Sequence, residues 1–183
     1  MQAGKDAEDD DDEIDPTKYY ESRCKLIATM KASGQDPYPH KFSVGTSIFH
    51  FTKDFAALKQ GEDSEVATVS VAGRIYSKRM KSKKLTFYDL HGEGTKIQVI
   101  MEFGHYEDEA DPVNKPAYHA INDLLRRGDI VGVVGRPTRS KTGEISIWPT
   151  SVKLLTPCLR VLPTAQYGFK DKEQVPHPHV HFH

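Results

Sequence analysis

The first part of the chain has the residue spacing of helices. Asp15 followed by Pro16 is a typical helix start, because Asp caps the first turn and Pro needs no hydrogen-bond acceptor there. Large or apolar side chains then recur every three or four residues, which predicts a helix over 16–33 that ends at Gly34. The residues of this stripe are Tyr19, Arg23, Leu26, Ile27 and Met30. A proline-rich extended segment follows, and a short second helix is predicted at 52–58.

From residue 65 onward, apolar and polar positions alternate with the two-residue period of half-buried strands. Five strands are predicted at 69–75, 83–90, 96–101, 130–136 and 144–148, with a helix at 116–127 between the third and the fourth. Three strands, a helix and two strands is the order of the five-stranded Greek-key barrel called the OB-fold. We therefore predict a mainly β protein with N-terminal helices. An open α+β sheet and an SH3-like barrel are the alternatives, and the position of the helix favours the OB-fold.

Charge is unevenly distributed along the chain, although the net charge is only −1. Residues 1–15 contain eight acidic residues and one lysine, a charge of −7 that leaves +6 on the remainder. This composition predicts a disordered acidic tail, and the asymmetry favours a body that binds nucleic acid or phosphate. The other predicted segments are a helical segment at 16–64, the barrel at 65–156, a linker at 157–173 and a His-rich tail at 174–183.

Several protein classes do not fit the sequence. No apolar run approaches the ~20 residues of a membrane span, and the acidic N-terminus does not resemble a signal peptide. Cys24 and Cys158 form neither a disulfide framework nor a zinc-binding motif. We expect a cytoplasmic protein with reduced cysteines and no membrane association. The alternating histidines of the tail, His177, His179, His181 and His183, have the chemistry to chelate zinc, nickel or copper, but we expect no metal site.

Strand alternation also predicts which side chains share the outer face of the barrel. Phe87 in the second strand, Gln98 in the third and Glu144 in the fifth all turn outward. An exposed aromatic ring on an OB-fold strand can stack on an unpaired base, and a neighbouring amide and carboxylate can hydrogen-bond base edges. An ordinary core phenylalanine with two solvated polar neighbours remains open from alternation alone. Trp148 also faces outward and either extends the stacking surface or covers a barrel end.

Two basic clusters are predicted to flank this face. The first, in the connection between strands one and two, contains Lys78, Arg79, Lys81, Lys83 and Lys84. The second, near the turn between strands four and five, contains Arg136, Arg139 and Lys141. These two loops flank the nucleic-acid groove of OB-folds, where cations neutralise phosphates. We expect RNA phosphates to contact Lys78, Arg79, Lys81, Arg136 and Arg139; a solvated hairpin tip is the alternative for the first cluster.

Several strings of residues resemble the N-terminal region of eukaryotic lysyl-tRNA synthetases. They are DPYPHKF at 36–42, VAGRI at 71–75, FYDL at 87–90, LRRGDI at 125–130, GEISI at 143–147 and LLTPCL at 154–159. In that family the region is an OB-type anticodon-binding domain preceded by helices. The resemblance implies base stacking by Phe87, base reading by Gln98 and Glu144, and a basic contact near Lys78 and Arg79. It also implies a preference for the uridine-rich anticodon of lysine tRNA.

The sequence departs from that family after residue 173, and no motif resembles the family's ATP and lysine sites. We therefore expect an anticodon-binding module without the class II catalytic domain, with no catalytic residues of its own. No cofactor is expected, since ATP and Mg²⁺ would belong to the missing domain. The expected partners are the anticodon stem-loop of lysine tRNA and a full-length synthetase or multi-synthetase scaffold. The alternative function is a non-catalytic interaction module that binds protein through helix 16–33, and a complete enzyme is disfavoured.

Overall fold

The computed structural model describes residues 15–65, 68–106 and 111–162. Its helices and strands, in chain order, are α1 (Pro16–Ala32), α2 (Ile48–Asp54), β1 (Val69–Ser82), β2 (Leu85–Gly92), β3 (Thr95–Glu102), α3 (Pro116–Leu124), β4 (Ile130–Arg139) and β5 (Ile145–Thr156). The predicted acidic tail, except for Asp15, and the His-rich tail lie outside the described residues. None of the helices in the described ranges is both long and apolar enough to cross a membrane.

The five strands form a closed barrel in the order β1-β2-β3-β5-β4, and β1 also pairs with β4. All neighbours are antiparallel except β3 and β5, which run parallel with Gln98 beside Ser146. This is the predicted OB-fold barrel, so the mainly β fold with N-terminal helices is confirmed. The barrel is filled by one inward residue set, among them Val71, Ile75, Tyr88, Leu90, Ile97, Val99, Val133 and Ile147.

Both α2 and α3 contribute side chains to this core. Phe51 of α2 is fully buried, and so is Tyr118 of α3. The α2 helix begins at Ser47, whose side chain accepts a hydrogen bond from the N–H of His50, so the predicted helix at 52–58 starts too late. The α3 helix ends before Leu125, which is extended and only 1% exposed because its side chain packs into the core.

Three strands continue well past their predicted ends, β1 to Ser82, β4 to Arg139 and β5 to Thr156. The second half of β1 is mostly polar, so hydrophobic alternation does not reveal it. The prediction that Lys78, Arg79 and Lys81 lie in the connection to β2 is therefore wrong. The turn of that hairpin contains Lys83 and Lys84 instead.

α1 is fastened to the barrel by a buried ion pair. The Nη2 atom of Arg23, which is 4% exposed, donates to Oδ1 of Asp129 at 2.6 Å, and Asp129 is fully buried. Asp129 also accepts the backbone N–H groups of Cys158 at 2.7 Å and Arg126 at 2.8 Å. Burial raises the pKa of the Asp129 carboxyl, and the positive charge of Arg23 opposes that shift. One network thus joins α1, the turn before β4 and the beginning of the predicted linker.

Candidate nucleic-acid interface

An open cleft of about 710 Å³ lies on the outer face of the barrel. It is lined by residues of all five strands, by the turn between β4 and β5, and by residues 61, 63 and 105. Phe87, Gln98 and Glu144, the three predicted base-reading residues, all line it. The structure therefore brings together the side chains that strand alternation assigned to one face.

Phe87 lies on β2, opposite Arg79 of β1 and Ile100 of β3. Its two neighbours, Thr86 and Tyr88, are each 2% exposed, which turns the Phe87 ring out of the barrel. The half-buried ring lines the cleft, not the barrel interior. In this position the ring can stack on an unpaired base that enters the cleft.

Gln98 and Glu144 are joined by a hydrogen bond, in which Nε2 of Gln98 donates to Oε2 of Glu144 at 2.8 Å. The Ser146 hydroxyl lies 3.4 Å from the amide oxygen of Gln98 and 2.9 Å from the backbone oxygen of Glu144. A hydroxyl has one hydrogen to donate, so the shorter contact takes it. Glu144 therefore fixes the orientation of the Gln98 amide, which lines the cleft but is only 6% exposed, and the amide oxygen of Gln98 keeps only the longer Ser146 contact.

Arg79 and Lys81 of β1 line the cleft, as predicted for this side of the groove. The Nη2 atom of Arg79 donates to Oδ1 of Asp89 at 3.0 Å, and the other oxygen of Asp89 accepts the Ser77 hydroxyl at 2.9 Å. The guanidinium group is thereby held on the same face as Phe87. Lys81 is exposed near the end of the strand.

The predicted position of Lys78 in the groove is wrong. Lys78 is opposite Tyr88, on the inward side of β1. Its ammonium group donates to the backbone oxygens of Asn122 at 2.7 Å and Leu125 at 3.1 Å, at the end of α3. Adjacent residues of a strand point to opposite faces, so only Arg79 of this pair can face the cleft.

Only some residues of the second basic cluster line the cleft. Arg139 lines the cleft, but its guanidinium group donates to the backbone oxygens of Gly143 at 2.9 Å and Ala56 at 2.8 Å. Its main role in this structure is to hold the turn between β4 and β5. Arg136 is exposed on the outer face of β4, beyond the cleft lining. Lys141 is exposed in the turn and lines the cleft.

One wall of the cleft was not predicted, because residues 61–64 were assigned to the helical segment. Asp63 forms an isolated bridge with Thr138 of β4, and the N–H of Gly61 donates to the backbone oxygen of Arg139 at 2.9 Å. Asp63 then accepts the indole N–H of Trp148 at 3.1 Å. The predicted outward orientation of Trp148 is confirmed. Four residues are too few to show alternation, and Gly61 is the one local signal of a change in structure.

The cleft has mixed charge, with four cationic and three acidic residues in its lining. They are Arg79, Lys81, Arg139, Lys141, Asp63, Glu102 and Glu144. Within the described ranges, no three His, Cys, Asp or Glu side chains group as metal ligands. The lining offers an aromatic ring, an amide held by a carboxylate, and cations on two sides. These groups can stack on, hydrogen-bond and neutralise a single-stranded nucleic acid.

Comparison with known proteins identifies the same type of domain. Residues 69–155 match the family of OB-fold nucleic acid binding domains of the tRNA anticodon type. The chain is 38% identical over 174 residues to lysine–tRNA ligase cla4 of Cladosporium cladosporioides, covering 92% of the chain and 28% of that protein. It is 36% identical over 158 residues to the lysine–tRNA ligase of Thermosipho melanesiensis, covering 85% of the chain and 30% of that protein.

A probable cytoplasmic lysine–tRNA ligase of Encephalitozoon cuniculi is 30% identical over 170 residues, covering 91% of the chain and 30% of that protein. The chain thus spans less than a third of the length of these three relatives. The predicted resemblance to the anticodon-binding region of lysyl-tRNA synthetases is confirmed. Residues 69–155 thus match the tRNA anticodon type of OB-fold nucleic acid binding domain, and the chain is similar to part of these lysine–tRNA ligases.

Proposed function

We propose that this chain is the anticodon-binding module of a lysine–tRNA ligase, and that its cleft holds unpaired anticodon bases of lysine tRNA. The observation that carries the proposal is the presence of Phe87, Gln98 and Glu144 in the lining of one cleft. The relatives support it, since the three compared above are lysine–tRNA ligases. Lysine activation with ATP is left to the remaining part of such an enzyme.

In this mechanism the Phe87 ring stacks on one base, a contact that contributes ~1–3 kcal/mol. The Gln98 amide then reads the edge of that base. Its oxygen accepts the N3–H of uracil, and its second N–H donates to a uracil carbonyl. Cytosine carries a lone pair at N3, which would face the amide oxygen of Gln98.

Glu144 is proposed to make the Gln98 amide bind uracil in preference to cytosine. A Gln98 amide rotated to suit cytosine would direct its oxygen at the Glu144 carboxylate, in place of the N–H that now lies 2.8 Å from Oε2. Two acceptors in contact repel each other, so the rotated state is unfavourable. The hydrogen bond between Gln98 and Glu144 is therefore the proposed source of uracil preference.

Backbone phosphates are proposed to contact Arg79 and Lys81 on one side of the cleft and Lys141 on the other. Each neutralised phosphate releases counterions, which makes the affinity depend on salt. No ATP or Mg²⁺ is needed for stacking and hydrogen bonding by protein groups. Affinity for a short uridine oligonucleotide should therefore be the same with EDTA as without it, and a marked loss with EDTA would contradict this part of the proposal. The Encephalitozoon cuniculi relative supports a cytoplasmic location.

The test compares three stem-loops with the same stem and with UUU, UCU or scrambled loops, at one stated salt concentration. Fluorescence anisotropy should show the tightest binding to the UUU loop. Glu144→Ala should lower the preference for UUU over UCU towards one. Glu102→Ala, which removes another acidic residue of the lining, should keep that preference. Equal binding of the three loops by the unaltered protein would refute the proposed function.

A second candidate is an interaction module that binds a full-length synthetase or a scaffold through α1. Leu26 and Ile27 of the predicted stripe are only half-buried, which favours it. Met30 packs against the barrel core, and Tyr19 is 5% exposed, so part of the stripe is already covered. Pull-down of a synthetase that persists after RNase treatment and is lost in Leu26→Glu would support this candidate.

A further inference from the structure

Trp148 and His105 form a stacked pair in the lining of the cleft. Their ring centroids are 4.3 Å apart and their planes are inclined by 21°. Trp148 is the only tryptophan of the chain, and both residues of the pair line the cleft that contains Phe87. We propose that this pair is a second base-stacking site, which takes another unpaired base of the RNA strand bound at Phe87. The inference rests on the proposed function, since it assumes RNA in the cleft.

The position of the Trp148 ring is fixed by polar contacts. The indole N–H donates to Oδ1 of Asp63 at 3.1 Å, and His105 packs against the indole ring. His105 is held in turn by Glu102, with 2.9 Å between Nδ1 and Oε2. An aromatic ring that is already oriented loses little conformational freedom when a base stacks on it. The ring is half-buried and is not wrapped by the barrel core.

The strand order gives the path of the RNA. Phe87 lies on β2 and Trp148 on β5, with β3 between them. Neighbouring strands are about 4.8 Å apart, so the backbones of β2 and β5 are separated by about 10 Å across the sheet. Stacked nucleotides advance about 3.4 Å each. A single strand that crosses the barrel therefore places bases two or three nucleotides apart on the two rings.

Arg136 completes the far end of this path. It lies opposite Trp148 in the pairing of β4 with β5 and is exposed on the outer face. A phosphate of the nucleotide stacked on Trp148 would meet this guanidinium group. Arg136 thus has a role that the Phe87 site alone does not give it, because it lies outside the cleft lining.

The first test uses two ligands, a uridine dinucleotide and a uridine hexanucleotide, and two variants. Trp148→Ala should lower the affinity for the hexanucleotide by about fivefold to 150-fold and change that for the dinucleotide much less. Tyr76→Ala is the matched control, since Tyr76 stacks on His91 at 4.2 Å and lies outside the cleft lining. It should bind both ligands like the unaltered protein. An unchanged hexanucleotide affinity in Trp148→Ala would overturn the inference.

The second test needs no substitution at Trp148. Because the chain has one tryptophan, its emission reports on this site alone. Emission should be quenched as the hexanucleotide binds, with the same midpoint as the anisotropy titration. Binding without a change in emission, while Phe87→Leu still weakens it, would overturn the Trp148 site and leave the proposed function intact. If the unaltered protein bound neither the hexanucleotide nor a UUU stem-loop, both proposals would fall.

Discussion

Replacing Arg23 with methionine should destabilise the protein through one contact, the buried ion pair with Asp129. Methionine keeps much of the apolar stem of arginine and removes the guanidinium group. Asp129 would then be a fully buried carboxylate without its positive partner. It would still accept the N–H groups of Arg126 and Cys158, which partly satisfy its charge.

The loss of stability in Arg23→Met can be estimated from these contacts. Removing one partner of a buried pair costs about 3–5 kcal/mol, and the two remaining N–H donors favour the lower end, about 3 kcal/mol. Whole domains are stable by about 5–15 kcal/mol, so the loss is a large part of the total. With an m-value of about 2 kcal/mol per molar urea, the denaturation midpoint should fall by about 1.5 M.

The pH dependence of the loss identifies Asp129 as its cause. Burial raises the pKa of this carboxyl, and removal of Arg23 raises it further. Between the ordinary pKa of about 4 and the raised value, the folded state holds a proton that the unfolded state has released. Stability therefore falls as pH rises through that range. In Arg23→Met the range extends to higher pH, so its deficit should be larger at pH 8 than at pH 5.

Urea denaturation of both proteins at these two pH values measures the effect. Lys25→Met is the matched control, because Lys25 is exposed on the same helix and should change stability by less than about 0.5 kcal/mol. A deficit below about 1 kcal/mol for Arg23→Met, an equal deficit at both pH values, or an equal loss in the control would refute the reasoning.

Three further outcomes are expected. Lys81→Ala should weaken binding to UUU and scrambled loops alike and reduce the slope of log affinity against log salt by roughly 0.7–1; a sequence-selective loss would argue against a phosphate contact. Lys78→Ala should leave RNA affinity unchanged and lower the free energy of unfolding in urea by about 1–3 kcal/mol, because its two carbonyl contacts are structural. A loss of RNA affinity with an unchanged free energy of unfolding would instead indicate that Lys78 contacts RNA in the groove. Gly135→Ala should lower Tm by about 2–10 °C, since its Cβ would lie 2.1 Å from the backbone oxygen of Trp148; an unchanged Tm would contradict that packing.

Strand alternation predicted the barrel and an outer-face position for Phe87 and Gln98, although it left a core position for Phe87 open. The reason is that side chains of a pleated strand alternate between its two faces, so a strand with one buried face has an apolar residue at every second position. The same rule fails where both faces are polar. The mostly polar second half of β1 shows no apolar period, so Lys78 and Arg79 were assigned to a loop although they point to opposite faces.

The remaining features depend on contacts between distant segments. The hydrogen bond from Gln98 to Glu144 follows from the parallel pairing of β3 with β5, which a local pattern does not encode. Asp63 reaches Trp148 only because its segment pairs with the end of β4. The start of α2 had a readable signal, since Ser47 is a good N-cap residue directly before Ile48.

The roles of three strand glycines also differ in how far they depend on contacts with distant segments. A glycine within a strand is typical of a bend at a barrel corner, and Gly135 lies at a register shift between β4 and β5. Gly132 instead leaves space for the Phe42 ring, because a Cβ there would lie 2.5 Å from Cζ of that ring. Gly73 leaves space for Ile48 in the same way, with 2.6 Å to its Cδ1 atom. The two glycines thus let Phe42 and the buried Ile48 of the N-terminal segment pack against the barrel strands.

The central claim is that the Phe87 ring stacks on an anticodon base, and its most direct test is binding of the UUU stem-loop to three variants. Phe87→Leu keeps an apolar side chain but removes the ring, and it should lose about 1–3 kcal/mol of binding free energy. Phe87→Tyr keeps the ring and should recover most of that loss, while Tyr76→Leu, outside the cleft, should bind like the unaltered protein. Equal affinity of Phe87→Leu and the unaltered protein would contradict the claim.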